Sequence, residues 1–141
     1  MKAFFDTSVL IPVFQSYHVH HKASFELLKK FSQRQACCGA HSLAEVYSTL
    51  TRMPPPYRFR PEQAMLFLTD IQSHLSLITL DSDEYFQAIT EFAAMGVVGG
   101  AIYDGLLARC ALKAKAERIY TWNVRHYRLF GPEIEKKLRT P

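Results

Sequence analysis

Met1-Lys2-Ala3-Phe4-Phe5-Asp6-Thr7-Ser8-Val9-Leu10 opens the chain with a short apolar run that reaches one carboxylate and stops. Two hydroxyl residues follow, and a second apolar run begins at Val9. The pattern predicts a buried strand ending at Asp6, with Thr7 or Ser8 capping the helix that comes next. In an open α/β sheet, ligands collect outside the carboxyl ends of the strands. Asp6 therefore stands where chemistry happens, provided other groups come to meet it.

Outward from this stretch the chain alternates strand-like and helix-like segments. Residues 2–5 read as the first strand and 8–15 as a short helix, bent or ended near Pro12. His18 to Gln35 reads as one amphipathic helix with Phe25, Leu28 and Phe31 near helical spacing. Residues 36–40 give a second strand. Leu43, Val46, Tyr47 and Leu50 then follow helical spacing. Pro54, Pro55 and Pro56 break that helix and predict a stiff, extended connection through Pro61. A helix over 62–74, a strand over 75–80, and helices from Ser82 to Met95 and from Ala101 to Lys115 come next. Arg118 to Thr121 is a fourth strand, and the basic tail supplies a helical turn and an edge strand. Strands separated by helices predict an α/β domain spanning residues 1–141, with a mostly parallel sheet of four or five strands.

Composition sets limits on function. Hydrophobic content of 48% and charged content of 21% describe a globular protein, not a disordered one. No apolar run approaches the roughly 20 residues of a membrane span, and Asp6 interrupts the early apolar stretch, so neither membrane nor secretion is expected. Three cysteines, Cys37, Cys38 and Cys110, without CxxC spacing point to reduced, buried thiols in the cytoplasm. Charge is segregated. Residues 1–60 hold eight Lys/Arg and three Asp/Glu, residues 61–104 hold seven acids and no Lys or Arg, and residues 105–141 hold nine Lys/Arg and three acids. A basic surface around an acidic pocket suits a polyanion held on a metal ion; solvated helix faces give the same blocks.

Four polar residues fall at the same kind of place. Asp6 ends the first strand, Glu45 lies in the first turn of the helix after the second, Asp104 lies in the first turn of the helix before the fourth, and Asn123 sits two residues past the fourth. In a parallel sheet all four converge on one edge. Clustered carboxylates repel unless something positive joins them. Hard oxygen donors suit Mg²⁺ or Mn²⁺, and such ions activate water and stabilise a leaving oxygen in phosphodiester hydrolysis. Each residue also has a purely structural reading. Ser42-x-x-Glu45 matches a capping box, Asp104 complements a helix N-terminus, Asp6-Thr7-Ser8 is a cap run, and Asn123 is a turn residue. His18, His20 and His21 lack partners at zinc spacing and read as exposed helix histidines. Trp122, Tyr127 and Phe130 read as core.

Four motifs, in order and across nearly the whole chain, carry a resemblance. They are Phe5-Asp6-Thr7-Ser8-Val9-Leu10, Ser42-Leu43-Ala44-Glu45-Val46, Gly100-Ala101-Ile102-Tyr103-Asp104-Gly105-Leu106-Leu107-Ala108 and Thr121-Trp122-Asn123-Val124-Arg125-His126-Tyr127. The chain resembles PIN-domain ribonucleases, and among them the VapC-type toxins of toxin–antitoxin pairs. The resemblance implies a PIN-like, Rossmann-like α/β/α sandwich and a Mg²⁺- or Mn²⁺-dependent endoribonuclease site. It makes Asp6, Glu45, Asp104 and Asn123 the catalytic set, with Asp6 and Asp104 binding the metal directly and Glu45 binding it or its water. Asn123 stands where relatives have Asp or Asn, and His126 where many carry another acid, so one firmly held ion is expected. The resemblance also implies an RNA substrate, a small antitoxin and a homodimer, with Arg58, Arg60, Arg125 and Arg128 on phosphate. The competing readings are a catalytically silent relative that binds RNA or protein, and a phosphatase starting from a strand-end Asp. Ser8 stands where a haloacid-dehalogenase phosphatase needs its second Asp, and the acid pair and late Lys of a response regulator are not evident.

Overall fold

The computed structural model describes residues 1–141. The elements run β1 (Ala3–Phe5), α1 (Thr7–Val13), α2 (His21–Leu28), β2 (Ala36–Gly39), α3 (His41–Arg52), α4 (Pro61–His74), β3 (Ser76–Ile78), α5 (Ser82–Ala94), α6 (Ala101–Lys113), β4 (Arg118–Tyr120), α7 (Val124–Tyr127), a 3₁₀ turn (Arg128–Phe130), α8 (Pro132–Glu135) and β5 (Leu138–Arg139). The strands form one sheet in the order β3-β2-β1-β4-β5, and every pairing is parallel. β1 is central. Ala3, Phe4 and Phe5 have no exposed surface, as expected for a strand covered on both faces, whose sequence is continuously apolar.

Alternation along the strands sorts the core into two layers. Phe4, Cys37 and Ile119 point to one face, where Phe92 of α5, Leu107 and Ala111 of α6, and Ile134 of α8 pack. Ala3, Phe5, Cys38 and Tyr120 point to the other, against Val9, Leu10, Leu27, Val46, Leu50 and Ile71 from α1 to α4. The result is helices on both faces of a parallel sheet, an α/β/α sandwich. The three thiols are free and buried, and burial pushes Cys37 and Cys38 up to about 12. They are inert core residues.

The chain fills β1, β2 and β3 in one direction and then returns to the other side of β1 for β4 and β5. The strand order reverses at the junction of β1 and β4, and this is the topological switch point at which such sheets open a crevice.

Several boundaries differ from the sequence reading. The helix expected over His18–Gln35 is confined to His21–Leu28. Beyond it, Lys30 and Phe31 donate to Leu27 and Leu28, and the chain turns so that the Gln35 carbonyl accepts from the amides of Lys2 and Ala3. Pairing beside β1 outweighs continued periodicity. The proline segment is a turn, not an extended spacer: the Tyr57 amide donates to the Pro54 carbonyl, and Arg58 Nε donates to the Met53 carbonyl at 2.8 Å. The tail folds as two short helices around a 3₁₀ turn and ends in the edge strand expected of it.

Candidate active site

Asp6 leaves the end of β1 at φ −70° and ψ 155° and is itself the N-cap of α1. Neither Thr7 nor Ser8 takes that role, because an N-cap needs extended backbone and a side-chain oxygen that reaches back to the first turn. Asp6 meets both conditions, and its Oδ2 accepts the Ser8 amide at 3.3 Å. The hydroxyls are thereby released for other work. Ser8 Oγ and Thr121 Oγ1 donate to Asp6 Oδ2 at 2.7 and 2.8 Å, and the Tyr127 hydroxyl donates to Oδ1 at 2.6 Å. Behind them, the Trp122 amide donates to Ser8 Oγ and the Asn123 amide to Thr121 Oγ1, both at 2.9 Å. Asp6 is 1% exposed. A buried carboxylate held by charge-assisted bonds from three elements is fixed in position, not solvated.

Glu45 lies on α3 one turn in from His41, just beyond the first turn where sequence put it. The capping-box alternative fails: the N-cap is Ala40 with no side-chain bond, and Ser42 Oγ is 2.8 Å from Thr7 Oγ1. Thr7 Oγ1 lies 3.1 Å from Glu45 Oε1 as its donor, so the residue after Asp6 also anchors the second acid. Asp104 stands in the first turn of α6, as expected. No Lys or Arg pairs with any of the three acids; the nearest cationic partners are His41 to Glu45 and His126 to Asp104, each at 3.9 Å and charged only when protonated.

The electrostatics record the crowding. Burial, then the charges of Asp6 and Glu45, push the Asp104 carboxyl up to about 6, against a smaller opposing pull from His126. Burial raises Glu45 as well, opposed by the Thr7 bond and His41, with Asp6 adding to the rise. Tyr127 is raised far above the ordinary tyrosine range by burial and by Asp6 and Asp104, so it remains a neutral donor. The three acids share one electrostatic neighbourhood and lack a cation to balance it. As they stand, no three acid, His or Cys side chains close into a ligand cluster. A hard divalent ion that keeps several waters and takes one or two carboxylates directly does not require such closure. The donor set fits that kind of ion.

Asn123 is the outlier among the sequence candidates. It is exposed at the start of α7, its amide serves Thr121, and its carboxamide faces a cleft with Ser8 instead of bonding the acids. Two residues escaped the sequence reading. Thr121 had a usable signal, a hydroxyl at a strand end beside Asn123. Tyr127 had none, since a tyrosine among apolar neighbours reads as core. Arg58 and Arg60 are engaged locally, with Met53 and Glu62; exposed Arg52 instead lines the cleft beside Glu45.

Acids gathered at the switch point of a parallel α/β/α sheet define a class, and comparison with known proteins agrees. The chain belongs to the PIN domain family, whose model matches residues 3–130. It is 37% identical over 120 residues to Ribonuclease VapC40 of Mycobacterium tuberculosis, covering 85% of each chain. It is 35% identical over 112 residues to Ribonuclease VapC27 of the same organism, covering 79% of this chain and 78% of that one. Among solved structures, the fold matches M. tuberculosis VapC20, described as a sarcin-ricin loop cleaving toxin, at TM-score 0.71 and 14% identity over 89% of this chain and 92% of that chain. It matches VapBC2 from Rickettsia felis, bound to a promoter DNA fragment, at TM-score 0.66 and 21% identity over 99% and 98%.

Proposed function

We propose that this chain is a divalent-cation-dependent endoribonuclease, the toxin of a toxin–antitoxin pair, acting through Asp6, Glu45 and Asp104. The observation that carries the site assignment is that burial and the charge of a fixed Asp6 raise both Asp104 and Glu45, with Glu45 adding to the rise at Asp104 and no Lys or Arg to neutralise them. The family and the curated relatives named ribonucleases support the activity.

Asp6 and Asp104 would hold the ion, Mg²⁺ or Mn²⁺, with Glu45 on its water shell. When bound, such an ion supplies a Lewis acid for the phosphoryl oxygens and lowers the pKa of water. The chain's own groups do the rest. Tyr127, Ser8 and Thr121 keep the Asp6 carboxylate in one orientation. Thr7 occupies Glu45 Oε1, leaving Oε2 to take a proton. Asn123, at the rim, positions the phosphate or a water. Solved VapBC complexes with the same fold support a small antitoxin as partner; a homodimer and a cytoplasmic location belong to the same reading. No helix is long and apolar enough to cross a membrane.

The test is incubation of purified protein with structured RNA and Mg²⁺ or Mn²⁺. Internal cleavage is expected, and it should stop with EDTA or Asp6→Asn. Cleavage that survives either control removes the metal-nuclease reading, and tight RNA binding without cleavage leaves a silent binding module.

A further inference from the structure

Two open clefts border the acid site, one lined by Ser8 and the other by Glu45. The first, of about 420 Å³, begins at Ser8 and Asn123 and is walled by His18, His20 and Trp122. The second, of about 350 Å³, begins at Glu45 and is walled by His41, Tyr103 and Arg52. Ser8 bonds Asp6, and Thr7, next to Asp6 in the chain, bonds Glu45, so one cleft reaches Asp6 through Ser8 and the other contains Glu45. Each contains a histidine nearly parallel to a larger aromatic ring, face to face in the first cleft and offset in the second. His20 and Trp122 have centroids 3.6 Å apart and planes within 8°; His41 and Tyr103 have centroids 5.7 Å apart and planes within 14°.

These pairs are not simply core. Tyr103 is 52% exposed, and His20 precedes α2 without making a side-chain cap. Trp122 is held by its indole N–H, which donates to Ser24 Oγ at 3.0 Å. His18 Nδ1 accepts the His20 amide at 3.0 Å, so the ring is neutral with its remaining proton on Nε2, a hydrogen-bond donor and not a phosphate cation. Flat rings suit bases, the polar edge of the first cleft is neutral, and unpaired RNA bases are recognised by stacking on Trp, Tyr and His side chains.

We propose that the two clefts are nucleobase subsites, which take the unpaired bases flanking the scissile phosphate, one on the His20–Trp122 pair and the other on the His41–Tyr103 pair. This rests on the nuclease reading, because a phosphodiester seated on the acids sends its two neighbouring nucleotides in opposite directions into these clefts. The substrate is then single-stranded or splayed open at the cut, since a base still paired to a second strand cannot lie on either pair.

The experiment uses short single-stranded RNAs in which each position around the mapped cut is replaced in turn by an abasic ribose. They are tested with wild type, His20→Ala, His20→Phe and Tyr103→Ala. One abasic position on each side of the cut should lower kcat/KM about tenfold. His20→Ala should abolish the sensitivity on one side and Tyr103→Ala that on the other, while His20→Phe, which keeps a flat ring, should restore it. Binding is read separately, in EDTA, from the emission of Trp122, the only tryptophan. Intact RNA should shift that emission, and RNA abasic at the His20 position should not. Cleavage indifferent to abasic sites, or both variants acting at the same position, overturns the subsites and leaves the nuclease reading standing. Base-dependent emission without cleavage of any RNA keeps the subsites and removes the nuclease reading. Neither cleavage nor emission change removes both.

Discussion

The Asp104 carboxyl, pushed up to about 6 from an ordinary 3.8, makes the site a liability in the absence of cation. Between those two values the folded protein holds a proton that the unfolded chain has lost, so stability of the cation-free protein should fall as pH rises from 3.8 to about 6. Glu45 acts in the same direction. Thermal unfolding in EDTA across this range should show the decline, and Asp104→Asn should flatten it. Added Mg²⁺ or Mn²⁺ should raise the wild-type midpoint increasingly above pH 6, where the ligand is ionised, and leave the variant almost unmoved. A midpoint indifferent to cation at every pH would remove Asp104 as a ligand. Tyr127→Phe keeps the buried ring but deletes the shortest bond to Asp6; it should cost about 1–3 kcal/mol in urea unfolding and lower kcat more than it raises KM. At this scale the sequence spoke unevenly. The gathering of Asp6, Glu45 and Asp104 in one neighbourhood was legible because an acid inside apolar periodicity needs a reason. Tyr127 was not, because its bond to Asp6 joins residues 121 places apart.

Among the elements, α6 shows how a small residue sets the position of an acid. A Cβ at Gly105 would meet ring atoms of Phe92 at 2.9 and 3.0 Å and of Phe130 at 3.2 Å. That gap lets α6 lie close to α5 and to the turn after α7, and Asp104 is the residue just before it. Gly105→Ala gains up to ~1 kcal/mol of helix propensity but overpacks two aromatic rings, so a net loss of about 1–2 kcal/mol is expected in denaturant unfolding. Asp104 should shift with its helix, lowering cleavage as well. Strands and the long helices were readable from periodicity, since their faces are buried by the layers they predict. The ends of α2 and the proline turn were not. Local spacing cannot announce that Gln35 is needed beside Ala3, nor that Arg58 will close onto Met53.

At the scale of the whole molecule, basic flanks that bind a polyanion would make its binding sensitive to salt. Cleavage kcat/KM and RNA affinity should fall as ionic strength rises, with a log–log slope of about −0.7 for each phosphate neutralised on a single strand. Arg52, exposed at the cleft beside Glu45, should account for one such contact. Arg52→Ala should therefore make the slope shallower by about 0.7 without changing the unfolding midpoint, and an unchanged slope would place the phosphate elsewhere. The parallel order β3-β2-β1-β4-β5 was expected only as a mostly parallel sheet; the position of β1 between the two halves is a long-range fact that no local window contains. That position has a bearing on synthesis. Asp6 leaves a ribosome together with Ser8, but two of the hydroxyls that hold it belong to residues 115 and 121 places later. A nascent chain carries this carboxylate with only its local bonds to Ser8 until Thr121 and Tyr127 have emerged. The cross-sheet support of the site is thus complete only once Tyr127 has been synthesised.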